Sequence, residues 1–103
     1  MAPRRVEVCS TLFIVVDGIR VGGKGLIEAL KAVDSEGSIR AAARRLGISY
    51  KRLWARITRA EQLLGFKLLE AGARGSRLTP EARRLLQAYE EARRRLEACV
   101  EAL

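Results

Sequence analysis

The spacing of apolar positions changes several times along the chain, and each change marks an element. Val6 to Val16 is rich in β-branched and apolar residues, stops at Asp17-Gly18 and resumes at Ile19-Arg20-Val21. This predicts an N-terminal hairpin over residues 6–22, closed by a two-residue type I′ turn, because Asp-Gly tolerates positive φ at both central positions. Beyond the glycine-rich Gly22-Gly23-Lys24-Gly25, Leu26, Ile27, Leu30 and Val33 recur at helical spacing until Gly37, which gives a first helix. Ser38 is a good N-cap for a second. Its narrow stripe of Ile39, Ala42, Ala43 and Leu46 contains small residues that let another helix approach closely. Gly47 supplies the left-handed residue that ends it. Ser49 caps a third helix with the stripe Leu53, Ile57, Ala60 and Leu64, so residues 24–64 read as three helices.

After Gly65 the period shortens. Phe66 to Leu69 reads as a strand, Ala71 to Gly75 as a flexible tip and Arg77-Leu78 as the return, a β-hairpin over residues 66–79. Thr79-Pro80-Glu81 then combines an N-cap, a proline at the first helical position and an acid beside the positive helix end. The helix it opens is expected to span 80–103. Leu85, Tyr89, Ala92, Leu96, Cys99 and Leu103 alternate in steps of four and three, a seam of three heptads whose expected partner is a second copy of the chain. Packing on the first helix of the same chain is the alternative use of that stripe.

The third helix carries the chemistry. At 100° per residue, the face opposite its leucines gathers Lys51, Arg52, Ala55, Thr58, Arg59 and Gln62, with Arg56 on one shoulder and Trp54 on the other. Two short helices broken at Gly47-Ile48-Ser49, the second basic on its outer side, are the pattern of a DNA-reading helix-turn-helix. Trp54, a single aromatic beside an apolar stripe, is expected to pack between the second and third helices.

Charge sharpens this reading. The 103-residue chain, one domain by length, has 20 Lys and Arg, 12 Asp and Glu and no His, for a net charge of +8. From Ser38 to Arg84, twelve bases face three acids, while the remainder of the chain is almost balanced, so the whole surplus lies in one block. A polyanionic partner is implied. The block's Arg40, Arg44, Arg45, Arg74, Arg77, Arg83 and Arg84 flank the third helix and suit phosphate contacts, which supply most of the affinity for DNA. Lys51, Arg52 and Arg59 are the candidates for reading base edges. Ser49 and Tyr50 can offer hydroxyls to a phosphate at the helix start. Arg74 at the hairpin tip would reach a phosphate or a minor groove.

Other classes lack parts. With no His and only Cys9 and Cys99, neither a zinc cluster nor a Cys-His nucleophile can be assembled, so no catalytic residue, metal or cofactor is expected. The cysteines read as small apolar fillers. The apolar run from Leu12 to Val16 ends at Asp17, too short for a membrane span, and a cytoplasmic protein is expected.

The order Glu36-Gly37-Ser38-Ile39, Ala42-Ala43, Leu46-Gly47-Ile48-Ser49-Tyr50-Lys51 and Trp54 continues with Leu64-Gly65, then Leu78-Thr79-Pro80, Arg83 and Leu85. It resembles the N-terminal DNA-binding domain of ModE-type molybdate-responsive transcription regulators, and its broader elements are shared with LysR-type regulators. The resemblance implies a mainly α winged helix-turn-helix with an N-terminal β-hairpin and a long C-terminal dimerisation helix. It implies a homodimeric transcriptional regulator on an inverted-repeat site, with Ser49, Tyr50 and Lys51 at the start of the recognition helix. ModE regulators carry their oxyanion-binding domains C-terminal to this segment, so no oxyanion site is expected within this chain. Two alternatives remain open at this level: a non-specific architectural chromatin protein, and a winged-helix module that docks an acidic protein.

Overall fold

The structure, a computed structural model, describes residues 6–8, 11–72, 75–96 and 98–100. Its elements run β1 (Val6–Val8), β2 (Ile14–Val16), β3 (Ile19–Gly22), α1 (Lys24–Glu36), α2 (Ile39–Leu46), α3 (Tyr50–Leu64), β4 (Leu69–Gly72), β5 (Gly75–Leu78), α4 (Pro80–Leu96) and β6 (Ala98–Val100). The strands form three antiparallel pairs, β1 with β6, β2 with β3 and β4 with β5. This is a winged helix-turn-helix, with β4–β5 as the wing.

Local chemistry sets most of the boundaries. Asp17 at φ 50° and Gly18 at φ 78° form the tight turn between β2 and β3. The Ser38 and Ser49 hydroxyl oxygens accept the Ala41 and Arg52 amides, each at 3.1 Å, and so cap α2 and α3. Gly47 closes α2 in the left-handed region, its amide donating to the carbonyls of Ala43 and Arg44.

The core lies where α1, α2 and α3 meet. Leu26, Leu30 and Val33 of α1 form one buried cluster with Leu53, Ile57 and Ala60 of α3, and Ile27 is buried as well; each large aliphatic chain contributes roughly 1.5–3 kcal/mol by leaving water. Ala42 and Ala43 are also buried, as the close approach of α2 requires. Leu68, Leu78 and Ala82 seal the side from which the wing and α4 leave.

The wing starts three residues later than its hydrophobicity suggests. Phe66 to Leu68 is irregular backbone held by side chains: the amides of Leu68 and Leu69 both donate to Glu61 Oε2, at 2.7 and 3.3 Å. Thr79 locks the other end. Its amide donates to the Leu68 carbonyl at 3.0 Å, its hydroxyl to the Lys67 carbonyl at 2.7 Å, and its Oγ1 accepts the Ala82 amide at 3.2 Å, capping α4. Glu61→Ala leaves two part-buried amides without their acceptor and is expected to cost about 2 kcal/mol, a fall in Tm of roughly 10 °C. Thermal unfolding followed by circular dichroism checks this, with Glu61→Gln expected to fall between the two.

The chain ends depart from the expected pattern. Val6–Val8 does not extend the hairpin; it pairs with Ala98–Val100, with Glu7 opposite Cys99. The final helix therefore stops at Leu96, and Cys99 belongs to a strand, off the helical seam. The last turn carries Arg93, Arg94 and Arg95, favourable at the negative helix end. The hydrogen bonds β6 makes come from a strand about ninety positions away in sequence, a partner that local periodicity does not register. Cys9, Arg74 and Leu103 lie outside the described residues.

Polar contacts fix α4 to α1. Arg83 grips Asp34 with both nitrogens, at 3.0 and 3.4 Å, and Glu90 pairs with Lys31 and Arg93. Lys31, then Arg93, hold the Glu90 carboxyl below its ordinary value by bonding its charged form. These contacts leave the neighbouring stripe of Leu85, Tyr89 and Ala92 half-buried, and Leu96 is 52% exposed.

Candidate nucleic-acid interface

The third helix has its buried side on Leu53, Ile57 and Ala60, and two different flanks follow from that anchoring. On the wing flank, Trp54 and Thr58 line a groove with Ile39, Leu69 and Ser76. On the other, Arg52, Arg56 and Arg59 line a cleft against Val21, Gly22, Gly23 and Gly25. Between the flanks lies an exposed ridge that includes Lys51, Ala55 and Gln62, with Thr58 half-buried at its edge. A ridge with small residues at its centre fits the depth of a major groove.

Several expected residues are placed ready to meet a ligand. Lys51 and Arg52 are exposed, and among the described residues neither has a carboxylate within ion-pair distance. Ser49 accepts the Arg52 amide, so its own hydroxyl proton is left to donate. Tyr50 is 45% exposed, and the Arg40 guanidinium lies 5.4 Å from its ring centre, which steers both toward the start of α3.

Other expected residues are engaged elsewhere. Arg59 donates to the Val21 carbonyl at 3.3 Å and faces the β2–β3 hairpin, away from the ridge. Arg77 pairs with Glu70 across the wing at 3.3 Å, and Arg45 bonds Ser35 at 2.6 Å with Glu36 3.9 Å away. Arg83 is bound to Asp34, and Arg84 lies 3.8 Å from Glu81. The basic block is thus divided: the part along α3 is open, and much of the remainder is matched by acids. These surface pairs contribute little to stability, but they reduce the charge offered outward.

Trp54 corrects the expectation of a packed aromatic, since it is 50% exposed in the groove beside the wing. At one residue past Leu53 it is rotated about 100° from the buried stripe, which places it outside the α2–α3 contact. Glu61, the acid that organises the wing, is the residue the sequence reading passed over. It is the sole acid of α3 and sits next to the apolar stripe, a signal of an inward task.

The descriptions of known proteins agree with this geometry. Residues 25–83 match the family model for the bacterial regulatory helix-turn-helix protein, lysR family, which covers α1 through the first turn of α4. The chain belongs to the LysR family. Among curated relatives, the HTH-type transcriptional regulator TfdS of Cupriavidus pinatubonensis is 47% identical over 66 residues, 64% of this chain and 21% of that protein. The small neutral protease regulatory protein of Streptomyces coelicolor is 42% identical over 60 residues, 58% of this chain and 18% of that protein. The chain thus spans about a fifth of the length of these curated relatives.

Solved structures give the same fold. The BenM DNA-binding domain in complex with benA site 1 DNA superposes with a TM-score of 0.59 at 32% identity, covering 66% of this chain and 79% of that one. The CbnR DNA-binding domain in complex with DNA gives 0.59 at 29% identity, covering 66% and 78%. Among the described residues of this LysR-family chain, no helix is long and apolar enough to cross a membrane, and no cluster of His, Cys, Asp and Glu could hold a metal ion.

Proposed function

We propose that this chain is the DNA-binding module of a transcriptional regulator, one that lays α3 in the major groove of duplex DNA. The observation that carries the reading is the Lys51–Ala55–Gln62 ridge, exposed and free of acids, with Arg52 beside it. Relatives of the same fold that were crystallised on DNA support it. Lys51 and Arg52 read base edges, Ser49, Tyr50 and Arg40 hold a phosphate at the helix start, and the wing, with Arg74 and Arg77, lies over the adjacent backbone. Thr58 and Arg56 border the ridge on its two sides.

The module acts as a homodimer. Leu85, Tyr89, Ala92 and Leu96 form an apolar stripe on α4 that the rest of the chain covers only in part, and a second copy completes it. Two-fold symmetry then requires an inverted repeat with half-sites about one duplex turn apart. A narrower kinship with ModE-type regulators is supported by Ser49-Tyr50-Lys51 and Trp54, and it extends to the helix-turn-helix alone, not to a molybdate response.

Footprinting on genomic fragments, with wild type and Lys51→Ala, tests the reading. Wild type is expected to protect discrete palindromic sites, and Lys51→Ala to lose about 1–3 kcal/mol of discrimination at one base position while retaining non-specific affinity. Uniform coverage by wild type, with Lys51→Ala weakening every sequence alike, would establish the architectural alternative instead.

A further inference from the structure

The flank of α3 away from the wing has a role that the reading above leaves unassigned. Arg52, Arg56 and Arg59 recur at i, i+4 and i+7 and so run along one side of the helix. They line a cleft of about 530 Å³ whose facing wall is Val21, Gly22, Gly23 and Gly25, a wall with no charged side chain. Like charges at such spacing repel one another, and among the described residues no acid pairs with them. Among the described residues, no carboxylate lies within ion-pair distance of any of the three, whereas Arg45, Arg77, Arg83 and Arg84 of the same basic block each have one. The arrangement leaves a slot of strong positive potential beside the ridge.

The slot has defined walls. Arg59 is fixed at one end by the Val21 carbonyl. Arg56 lies against the start of α1, its Nη1 3.0 Å from where a Cβ on Gly25 would be, so the glycine admits the guanidinium. The outer wall is the β2–β3 hairpin, which carries a further cation, Arg20, stacked 3.7 Å over the Phe13 ring. That hairpin precedes residues 25–83, the segment matched by the family model.

We propose that this slot seats the sugar-phosphate backbone of the bound duplex on the side opposite the wing, so that the β2–β3 hairpin serves as a second wing. The inference rests on the DNA-binding reading and adds the strand that Arg56 and Arg59 grip, with Arg52 at the end of the slot nearest the base edges. Seven residues of helix place Arg52 and Arg59 about 10 Å apart along the axis. That length exceeds a single phosphate and suits a row of them, which favours a backbone over a small free anion. The hairpin and the β4–β5 wing then stand on opposite flanks of α3, and the ridge enters the groove between them.

The test uses the full chain on a duplex carrying its selected site, comparing wild type, Arg56→Ala and Arg56→Lys. Arg56 is exposed and outside the core, and thermal melting verifies that both variants fold as wild type does. Arg56→Ala is expected to make the slope of log affinity against log salt shallower by about 0.9 per protomer, one phosphate's share, and so by about 1.8 for a dimer on two half-sites, with Arg56→Lys largely restoring it. Hydroxyl-radical protection should weaken on the strand facing the hairpin and persist under the wing, with base preference unchanged. An unaltered slope and footprint in Arg56→Ala overturns the slot and leaves the DNA-binding proposal standing. Failure of the wild type to bind any duplex overturns both.

Discussion

Gly75→Ala is expected to detach the wing from the helical body. Gly75 has φ 123°, a region that L side chains rarely adopt, and a Cβ there would stand 2.2 Å from the Gly37 carbonyl oxygen. That oxygen is not free to move. It accepts the Ser76 amide at 3.0 Å, the bond that ties the start of β5 to the junction of α1 and α2. The substitution combines backbone strain with a steric overlap that only displacement of the strand relieves, and the displacement breaks the bond. The expected cost is about 4 kcal/mol, a large share of the 5–15 kcal/mol typical of a domain. Denaturant unfolding should show a sharply lowered midpoint, and the surviving fold should bind DNA without wing protection. A midpoint within experimental scatter of wild type would contradict the close approach of Gly75 to the Gly37 carbonyl.

Leu96→Asp is expected to dissociate the proposed dimer while leaving each chain folded. Leu96 is 52% exposed within one chain, so the protomer loses little packing when it is replaced. An aspartate near the end of α4 also meets the negative pole of the helix, a penalty below about 1 kcal/mol. Burying that carboxylate against an apolar stripe of a partner costs several times more, and the dimer dissociation constant should rise at least about 100-fold. Sedimentation at micromolar concentration reads this directly. An unchanged dimer would move the interface away from Leu85, Tyr89, Ala92 and Leu96.

Much of the fold was legible because it rests on local chemistry. Ser38 and Ser49 cap because their hydroxyls reach amides three residues on, and Asp17-Gly18 turns because both accept positive φ. Leu53, Ile57 and Ala60 are buried because a 3.6-residue period brings them to one face. What local pattern does not carry is the identity of distant partners. Glu61 takes the amides of Leu68 and Leu69 and thereby delays the wing, although Phe66 to Leu69 is apolar enough for a strand. Val6–Val8 and Ala98–Val100 find each other from opposite ends of the chain, which shortens the last helix to Leu96.

The candidate site divides in the same way. Helical geometry placed Lys51, Arg52, Ala55 and Gln62 on the outer face. It placed Arg59 there too, yet the β2–β3 hairpin packs beside α3 and draws that side chain to the Val21 carbonyl. Likewise the surplus charge of the basic block was legible, but its distribution was not. Only a folded chain brings Asp34 to Arg83, or lays Glu70 across from Arg77.

The central claim is that the outer ridge of α3 reads sequence in duplex DNA. Selection of bound duplexes from a random pool, by wild type and by Lys51→Ala in parallel, tests it most directly. The account predicts that wild type enriches two inverted half-sites about 10 base pairs apart, centre to centre, and that Lys51→Ala loses the preference at one position in each. A pool that remains random after wild-type selection, or an identical motif with Lys51→Ala, would contradict it.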